Sequence, residues 1–374
     1  MMLCLTPFLF VLSNAPAPAA GDQLVFDVAA GSKVHKRIKA VHELRIDDMG
    51  VIDGDLPYVS DKSGGWVSAT MNLQYVDEYA RVAQNRPLEF VRTIREAQSQ
   101  AKANVTRSTG QVLEEGSRSS SPLRKQNIRF TWIDAENDWA RSYERIDAEE
   151  PWLAPLRGEF ELLALLPKGE VAVGDTWQVP VEALVSVLAP GGNLQLVPSG
   201  ENLFGRLTEL GVGGDFADFF VPAGGSIEAT YKGRREVGDD SAGPRVSVGV
   251  VELQINVVSS TDRAALYRMA MPQEERREVA RLDGVPFEYT LIGTAELLWD
   301  FAHKRAHSLR VAGQEGFSVT VQKTRFDGRE EHRFAQQSRY SGPLTYEVTF
   351  SDGAALESES ELDNPKLQNR PKRK

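Results

Sequence analysis

Two histidines four residues apart, His303 and His307, have the spacing in this chain that comes closest to a metal site. On a helix, residues i and i+4 share a face, and imidazole is a common zinc ligand. The segment from Trp299 to Arg305, however, ends a long alternating stretch and favours a turn with both histidines exposed. Cys4 is the only cysteine, and the other histidines are scattered. We therefore predict no metal site.

Four aspartates lie close together in the N-terminal part of the chain: Asp47, Asp48, Asp53 and Asp55. Calcium takes several carboxylate oxygens, but this spacing does not fit an EF-hand loop. We expect a charged surface turn.

Catalytic signatures are absent from the sequence. It contains no nucleophile elbow, no phosphate-binding loop, no HExxH pair and no dinucleotide fingerprint after a strand. We predict no catalytic residue and no cofactor. A triad assembled from strand ends would leave no local signature, so an extracytoplasmic hydrolase stays open as an alternative.

The strongest candidate for a binding function is a concentration of apolar residues from Leu184 to Phe220, interrupted by Pro190-Gly191-Gly192 and Gly213-Gly214. Glycine and proline beside bulky apolar residues are typical of a flexible cover over an apolar pocket. The alternative is core packing between two subdomains. The candidate ligand-binding residues are Trp177, Leu184, Leu188, Phe204 and Phe219.

Trp177 follows a turn signal, Gly174-Asp175, and precedes an extended segment. We predict that it is largely buried and anchors a hairpin; an exposed Trp177 would instead be a ligand-stacking residue. The stretch 165–177 resembles the Leu-Pro…Val-Gly-Asp-Thr-Trp segment of poorly characterised bacterial extracytoplasmic β-rich proteins. This resemblance implies location and fold and carries over no catalytic residue. A ligand-carrying role is similar in outline to the lipoprotein-carrier half-barrels.

Alternation with period two dominates the elements that must position these residues. It is clearest from Phe287 to Trp299 and predicts a long strand with one buried face. Shorter stretches repeat the pattern: Met71 to Tyr75, Ile128 to Trp132, Ile227 to Tyr231, Phe317 to Val321, and Tyr346 to Phe350. We predict an α+β, mainly β fold with long antiparallel strands in one or two curved sheets and a few short helices.

Three stretches are predicted to contain the short helices: Trp152 to Leu166, Val181 to Leu188, and Thr261 to Leu282, the last divided at Pro272. A slip in the alternation between Val250 and Val251 predicts a β-bulge. The serine-rich stretch from Arg107 to Arg124 is predicted to be a long loop.

The first residues indicate export. An apolar run from Leu3 to Leu12 precedes small residues, and Ala17 with Ala19 forms a cleavage pattern, so the mature chain is expected to start near Ala20 without Cys4. We divide the chain into a signal peptide (1–19), an N-terminal β-rich half (20–150), a connecting apolar and helical region (151–225), a C-terminal β-rich half (226–351) and a disordered charged tail (352–374). No transmembrane span is expected in the mature chain.

A net charge of -10 argues against a nucleic-acid partner, whose phosphates require a basic surface. Together, these features predict an exported, extracytoplasmic, non-enzymatic protein that binds an apolar ligand or an envelope component. A hydrolase and a structural or partner-binding surface protein are the alternatives.

Overall fold

The protein is described from a computed structural model, which covers residues 21–60, 64–106, 109–144, 152–158, 161–194, 196–199, 222–238, 245–264, 280–327 and 330–353. The described part of the chain is mostly antiparallel β-structure, with 72% of the described residues in strands, which confirms the mainly β prediction. The strands are β1 (Asp22–Gln23), β2 (Lys33–Asp53), β3 (Val59–Ser60), β4 (Gly64–Ala83), β5 (Arg86–Thr106), β6 (Val112–Ser120), β7 (Asn127–Ile133), β8 (Asp138–Tyr143), β9 (Glu170–Val171), β10 (Thr176–Val179), β11 (Val197–Ser199), β12 (Pro222–Val237), β13 (Val246–Asp262), β14 (Ala280–Gly284), β15 (Pro286–Asp300), β16 (Arg305–Asp327) and β17 (Glu330–Asp352).

One large sheet contains the long strands, in the order β10-β12-β13-β15-β16-β17-β2-β4-β5-β6-β11. Strand β2 pairs with β17 along most of its length, from Val34 opposite Asp352 to Asp53 opposite Phe334. Strands from both ends of the chain therefore lie in one sheet and contribute to one hydrophobic cluster. The sheet curls without closing, so one face is enclosed; we call it the inner face.

The alternation of apolar and polar residues determines which side chains of each strand lie on the inner face. Alternate residues of β15 are buried, namely Phe287, Tyr289, Leu291, Ala295 and Leu297, with Gly293 of the same set half-buried. The residues between them are more exposed until the strand approaches its end. Gly293 on β15 lies opposite Gly313 on β16. A Cβ on Gly293 would come within 2.5 Å of the Ala312 carbonyl oxygen. Glycine is therefore required here, as at other sharp bends of curved sheets.

Residues 21–31 cross one end of the inner face as a strap. Within it, Leu24, Phe26 and Val28 are buried. The Trp299 indole nitrogen donates to the Val25 carbonyl at 3.3 Å, and the Phe26 ring packs edge-on against Tyr79 with centroids 5.6 Å apart. The strap therefore joins strands from both ends of the chain.

The helical predictions have different outcomes. Ala183–Leu188 forms an α-helix (α1) within the predicted stretch Val181 to Leu188. Described residues from 152 to 166 form turns and a single 3-10 turn, Leu163–Leu165, since this stretch follows the surface of the sheet. In the third stretch, Thr261 lies in β13, which ends at Asp262, and Leu282 lies in β14. Ala264 is helical, and residues 265–279 lie outside the described residues. In the described part of the chain, no helix is long and apolar enough to cross a membrane.

Two further local predictions are corrected. The predicted loop from Arg107 to Arg124 contains β6, which pairs with β5 and β11. The predicted irregularity lies at Val250 and Val251, but the extra residue is on the neighbouring strand: Val251 pairs with Tyr231 and Val250 with Gly233 of β12, whereas the pairing of β13 with β15 is regular there. The apolar residues of β13 change from one face to the other at this point because the first part of the strand is buried on both faces. Val248 and Val250 form a second cluster with Leu298.

Candidate ligand-binding site

An apolar trough lies on the inner face, formed by alternate residues of four neighbouring strands. It is lined by Ile227, Leu253, Ile255, Ala295, Leu309 and Val311. All six side chains are buried. Leu253 lies opposite Ala295 on the next strand, and Ala295 lies opposite Val311, so the lining residues form continuous rows across the sheet.

Helix α1 fills this trough. Its residues Leu184 and Val187, together with Leu165 of the 3-10 turn, face the six lining residues. The cavity left between them measures about 10 Å³. That is the volume of about one water molecule, and an apolar lining does not hold water. Helix α1 and Leu165 therefore pack against the trough as part of the main hydrophobic cluster.

The helix has little stability of its own. It has six residues, Glu182 precedes it without a capping side-chain hydrogen bond, and no acidic residue lies in the first turn or basic residue in the last. Isolated helices of this length are unstable in water. Its form therefore depends on burial of its apolar side chains: Leu184, Val185, Val187 and Leu188.

A glycine turn follows α1. Gly191 and Gly192 both have left-handed backbone conformations, with φ of 84° and 81°. A Cβ on Gly192 would come within 2.4 Å of the Pro155 carbonyl oxygen. That carbonyl accepts a hydrogen bond from the Asn193 backbone N–H at 3.1 Å. The turn is thus fixed against residues 155–157, and it defines where α1 can pivot.

Trp177 lies at the edge of the trough on β10, opposite Ala229 of β12. It is half-buried, because β10 is an edge strand, rather than largely buried as predicted. Its indole nitrogen donates to the Leu165 carbonyl at 3.1 Å and so ties the 3-10 turn to the sheet.

The structure brings together three of the five predicted site residues. Leu184 and Leu188 are buried in α1, and Trp177 contacts the adjoining 3-10 turn. Phe204 and Phe219 lie outside the described residues.

A buried charged cluster, Lys36, Asp77, Arg92 and Glu161, holds the connecting region against the inner face. The Lys36 ammonium donates to the carboxylates of Asp77 and Glu161, at 2.7 Å each. Arg92 donates two hydrogen bonds of 2.8 Å to Asp77. Two cations thus face two carboxylates, and each of the four side chains is at least 97% buried in terms of residue exposure. Such clusters need near-complete pairing to be tolerated in a core.

Within the cluster, the Asp77 carboxylate keeps its charge despite burial. Burial alone would raise the pKa of Asp77, but Arg92 and Lys36 lower it below its usual range. Burial, followed by the Glu161 carboxylate, raises the pKa of Tyr79, whose hydroxyl donates to Glu161 at 2.8 Å. Arg92 also donates to the Gly158 backbone carbonyl at 3.2 Å. These bonds hold residues on both sides of 159–160 in place and make the cluster an anchor.

A second buried polar group joins His42, Glu315 and Tyr289. The His42 Nδ1 and Glu315 Oε1 are 2.8 Å apart, and the Tyr289 hydroxyl donates to Glu315 at 3.4 Å. Burial opposes the charged form of His42, but the Glu315 carboxylate outweighs it and raises the pKa of His42. The arrangement is an ion pair on the inner face.

His303 and His307 lie at and after the turn between β15 and β16. His303 lies in the turn between β15 and β16, as predicted, whereas His307 is half-buried in β16. Both ring nitrogens of His303 face carboxylates, Asp300 at 2.6 Å and Asp352 at 3.6 Å. These contacts fix the orientation of the His303 ring in the turn. Asp300 also accepts the backbone N–H groups of Ala302 and His303, so it shapes the turn.

Asp47, Asp48 and Asp53 lie in strand β2, whereas Asp55 lies in the exposed turn that follows. Asp47 and Asp48 lie in β2 rather than in a surface turn, since β2 continues to Asp53. Asp48 accepts hydrogen bonds from Tyr58 and Ser60, at 2.5 and 2.8 Å. Across the described residues, no group of three or more His, Cys, Asp or Glu side chains is arranged to hold a metal ion.

Sequence reasoning missed the charged cluster, although a signal for it exists. Lys36, Asp77 and Arg92 each occupy the apolar phase of an alternating strand, as in Tyr75-x-Asp77-x-Tyr79 and Phe90-x-Arg92-x-Ile94. A charge at such a position must be paired when the strand folds. Its partners, however, come from other strands and could not be assigned.

Comparisons with known proteins give no family. No family model and no curated protein matches the chain. Among solved structures, the secretin domain of InvG from the Salmonella SPI-1 injectisome is 10% identical, with a TM-score of 0.15, covering 91% of this chain and 72% of that one. An outer membrane channel from Pseudomonas putida F1 is 8% identical, with a TM-score of 0.20, covering 87% and 98%. Scores this low carry no argument about function.

Proposed function

We propose that this protein is an exported, envelope-associated binding protein that holds an apolar ligand in the trough and performs no catalysis. The proposal is based on two observations together: the trough is apolar, and helix α1, which fills it and which we call the plug, has little stability of its own. The trough must be covered, because exposed apolar surface of this kind is unfavourable in water. Helix α1 covers it in the absence of ligand, and a ligand would replace α1.

Ligand pockets are typically apolar with a few fixed polar groups. The trough meets this description. Of the elements next to it, some are held in place by polar contacts, whereas α1 is held mainly by apolar contacts. The charged cluster fixes Glu161 and the Gly158 carbonyl to the inner face, and the Pro155 carbonyl bonds to the Asn193 N–H of the glycine turn. The six residues of α1 are held chiefly by apolar contacts. Movement of α1 about the glycine turn would therefore leave the rest of the fold intact.

The proposed site contains five residues that have different roles: Trp177, Leu184, Leu188, Phe204 and Phe219. Leu184 and Leu188 would leave the trough when ligand enters, and Trp177 would border it. Phe204 and Phe219 would cover the bound ligand. The proposed location outside the cytoplasm rests on the signal-peptide pattern of the first residues. Cleavage near Ala20 would leave the strap intact, because its first paired residue is Asp22.

The test is a thermal-shift and calorimetric series on the mature chain with 1-O-hexadecylglycerol, an uncharged single-chain amphiphile. A ligand at a hundred times its Kd stabilises a protein by about 2.7 kcal/mol, so the melting temperature should rise. Ile255→Asp places a charge in the trough and should abolish the shift. Ile292→Asp, on the exposed side of β15, is the matched control and should retain it. No shift with the wild-type chain would reject the ligand-binding function and leave partner binding.

A further inference from the structure

The Tyr346 hydroxyl is a polar group on the inner face that the fold leaves unsatisfied. Tyr346 lies on β17, opposite Val311 of the trough on one side and Ala40 of β2 on the other. Its side chain is buried, with 1% of the residue exposed. Among the described residues, none forms a hydrogen bond with its hydroxyl. Buried hydroxyls in folded proteins almost always have a partner, so this exception requires an explanation.

Tyr346 lies close to the point where the turn after α1 meets the sheet. Burial, and then the neighbouring Tyr75 side chain, raise the pKa of Tyr346 well above its usual value. The Tyr75 hydroxyl donates to the Pro190 carbonyl at 3.0 Å, directly before the glycine turn. The unsatisfied hydroxyl thus lies between the trough and the pivot of the plug.

A tyrosine hydroxyl in this position is protonated at neutral pH and can donate to an oxygen acceptor. The nearby buried cations do not favour an anionic acceptor, because Lys36 and Arg92 are already balanced by Asp77 and Glu161. A ligand carboxylate buried beside them would add an uncompensated charge, which is strongly unfavourable. A neutral carbonyl oxygen accepts a hydrogen bond without that penalty.

We propose that Tyr346 donates a hydrogen bond to a neutral carbonyl oxygen of the ligand, so that the ligand is an acyl lipid linked through an ester or amide. This inference rests on the proposed function and adds the chemical class of the ligand. The acyl chain lies in the trough, and the carbonyl lies at its β17 side.

The experiment compares 1-palmitoylglycerol, which carries an ester carbonyl, with 1-O-hexadecylglycerol, which has the same chain and head group without it. Calorimetric affinities are measured for the wild-type chain, Tyr346→Phe, and the control Tyr289→Phe, whose hydroxyl bonds Glu315. Palmitate serves as the anionic arm. For wild type and Tyr289→Phe we expect about 3- to 10-fold tighter binding of the ester than of the ether, the range of one net hydrogen bond. Palmitate should bind more weakly than the ester.

In Tyr346→Phe the ester preference should fall to about 1 while the ether affinity is unchanged. The ligand-free Tyr346→Phe chain should melt at the wild-type temperature or above, because it loses an unsatisfied hydroxyl. Equal binding of ester and ether by the wild type would overturn the inference, as would an ester preference that survives in Tyr346→Phe. A lower melting temperature of ligand-free Tyr346→Phe would show that a buried water satisfies the hydroxyl, and would also overturn it. Absence of binding by both lipids would reject the proposed function itself.

Discussion

Replacement of α1 by the ligand predicts a threshold in ligand chain length. Four side chains of α1 are buried, with exposures of 2% for Leu184, 5% for Val185, 2% for Val187 and 5% for Leu188. Exposing each costs about 1.5–3 kcal/mol, or about 6–12 kcal/mol for the four. Each ligand methylene that enters the trough contributes about 0.8 kcal/mol in return. Exchange therefore becomes favourable only beyond about 8–15 methylenes.

The assay is calorimetry with 1-O-alkylglycerols from six to eighteen carbons, each below its micelle concentration. We expect no binding by the shortest chains and, past the threshold, an affinity that rises about four-fold per methylene. Leu184→Ala weakens the plug and should shift the threshold to shorter chains, whereas Val258→Ala, at an exposed position of β13, should not. Measurable binding of the six-carbon compound, or an affinity that does not rise with chain length, would refute the exchange of α1 and ligand.

Three further predictions concern the elements around the site. Lys36→Met leaves two buried carboxylates without their shared cation and should lower the free energy of unfolding in urea melts by about 3–5 kcal/mol; a loss under 1 kcal/mol would contradict the anchoring role. Glu315 raises the pKa of His42, so the contribution of this pair to stability should be complete below pH 6.5 and lost as the pH rises through the folded-state pKa. Thermal melts from pH 5 to 9 should therefore show stability falling as the pH rises, and His42→Gln should reduce this dependence on pH. In Gly192→Ala the new Cβ would clash with a backbone carbonyl, whereas in Gly174→Ala, at a similarly left-handed φ, it would point into open space. The first substitution should therefore lower the free energy of unfolding more than the second, by at least about 1 kcal/mol, and equal effects would refute a fixed turn.

Much of the secondary structure is predictable because period-two alternation reflects only whether one face of a strand is buried. The stretch from Phe287 to Trp299 shows this, since it falls within β15. Pairing between distant strands has no such local signal. The contact of β2 with β17 depends on how the whole sheet curls, which hydrophobic patterning alone does not specify.

The errors have identifiable causes. Residues 152–166 are apolar enough for a helix, but their backbone is held by Arg92 and by Glu161, which bonds to Lys36. The serine-rich β6 offers little apolar surface and is a strand because β5 supplies a ladder of hydrogen bonds along it. In both cases tertiary contacts override local propensity.

The apolar part of the candidate site was accessible from sequence, and the polar part was not. Leu184 and Leu188 stand out by composition and by the glycines after them. The Tyr346 hydroxyl is notable only because nothing among the described residues bonds to it, and that fact requires coordinates.

The most direct test of the central claim is amide hydrogen exchange of α1 with and without 1-O-hexadecylglycerol. In the ligand-free chain the Ala189 N–H donates to the Val185 carbonyl at 2.9 Å, which reports on the closed plug. Ligand that replaces α1 should speed exchange from Val185 to Ala189 while slowing it in β13 and β15. Unchanged or slower exchange across Val185 to Ala189 in the presence of bound ligand would contradict the account.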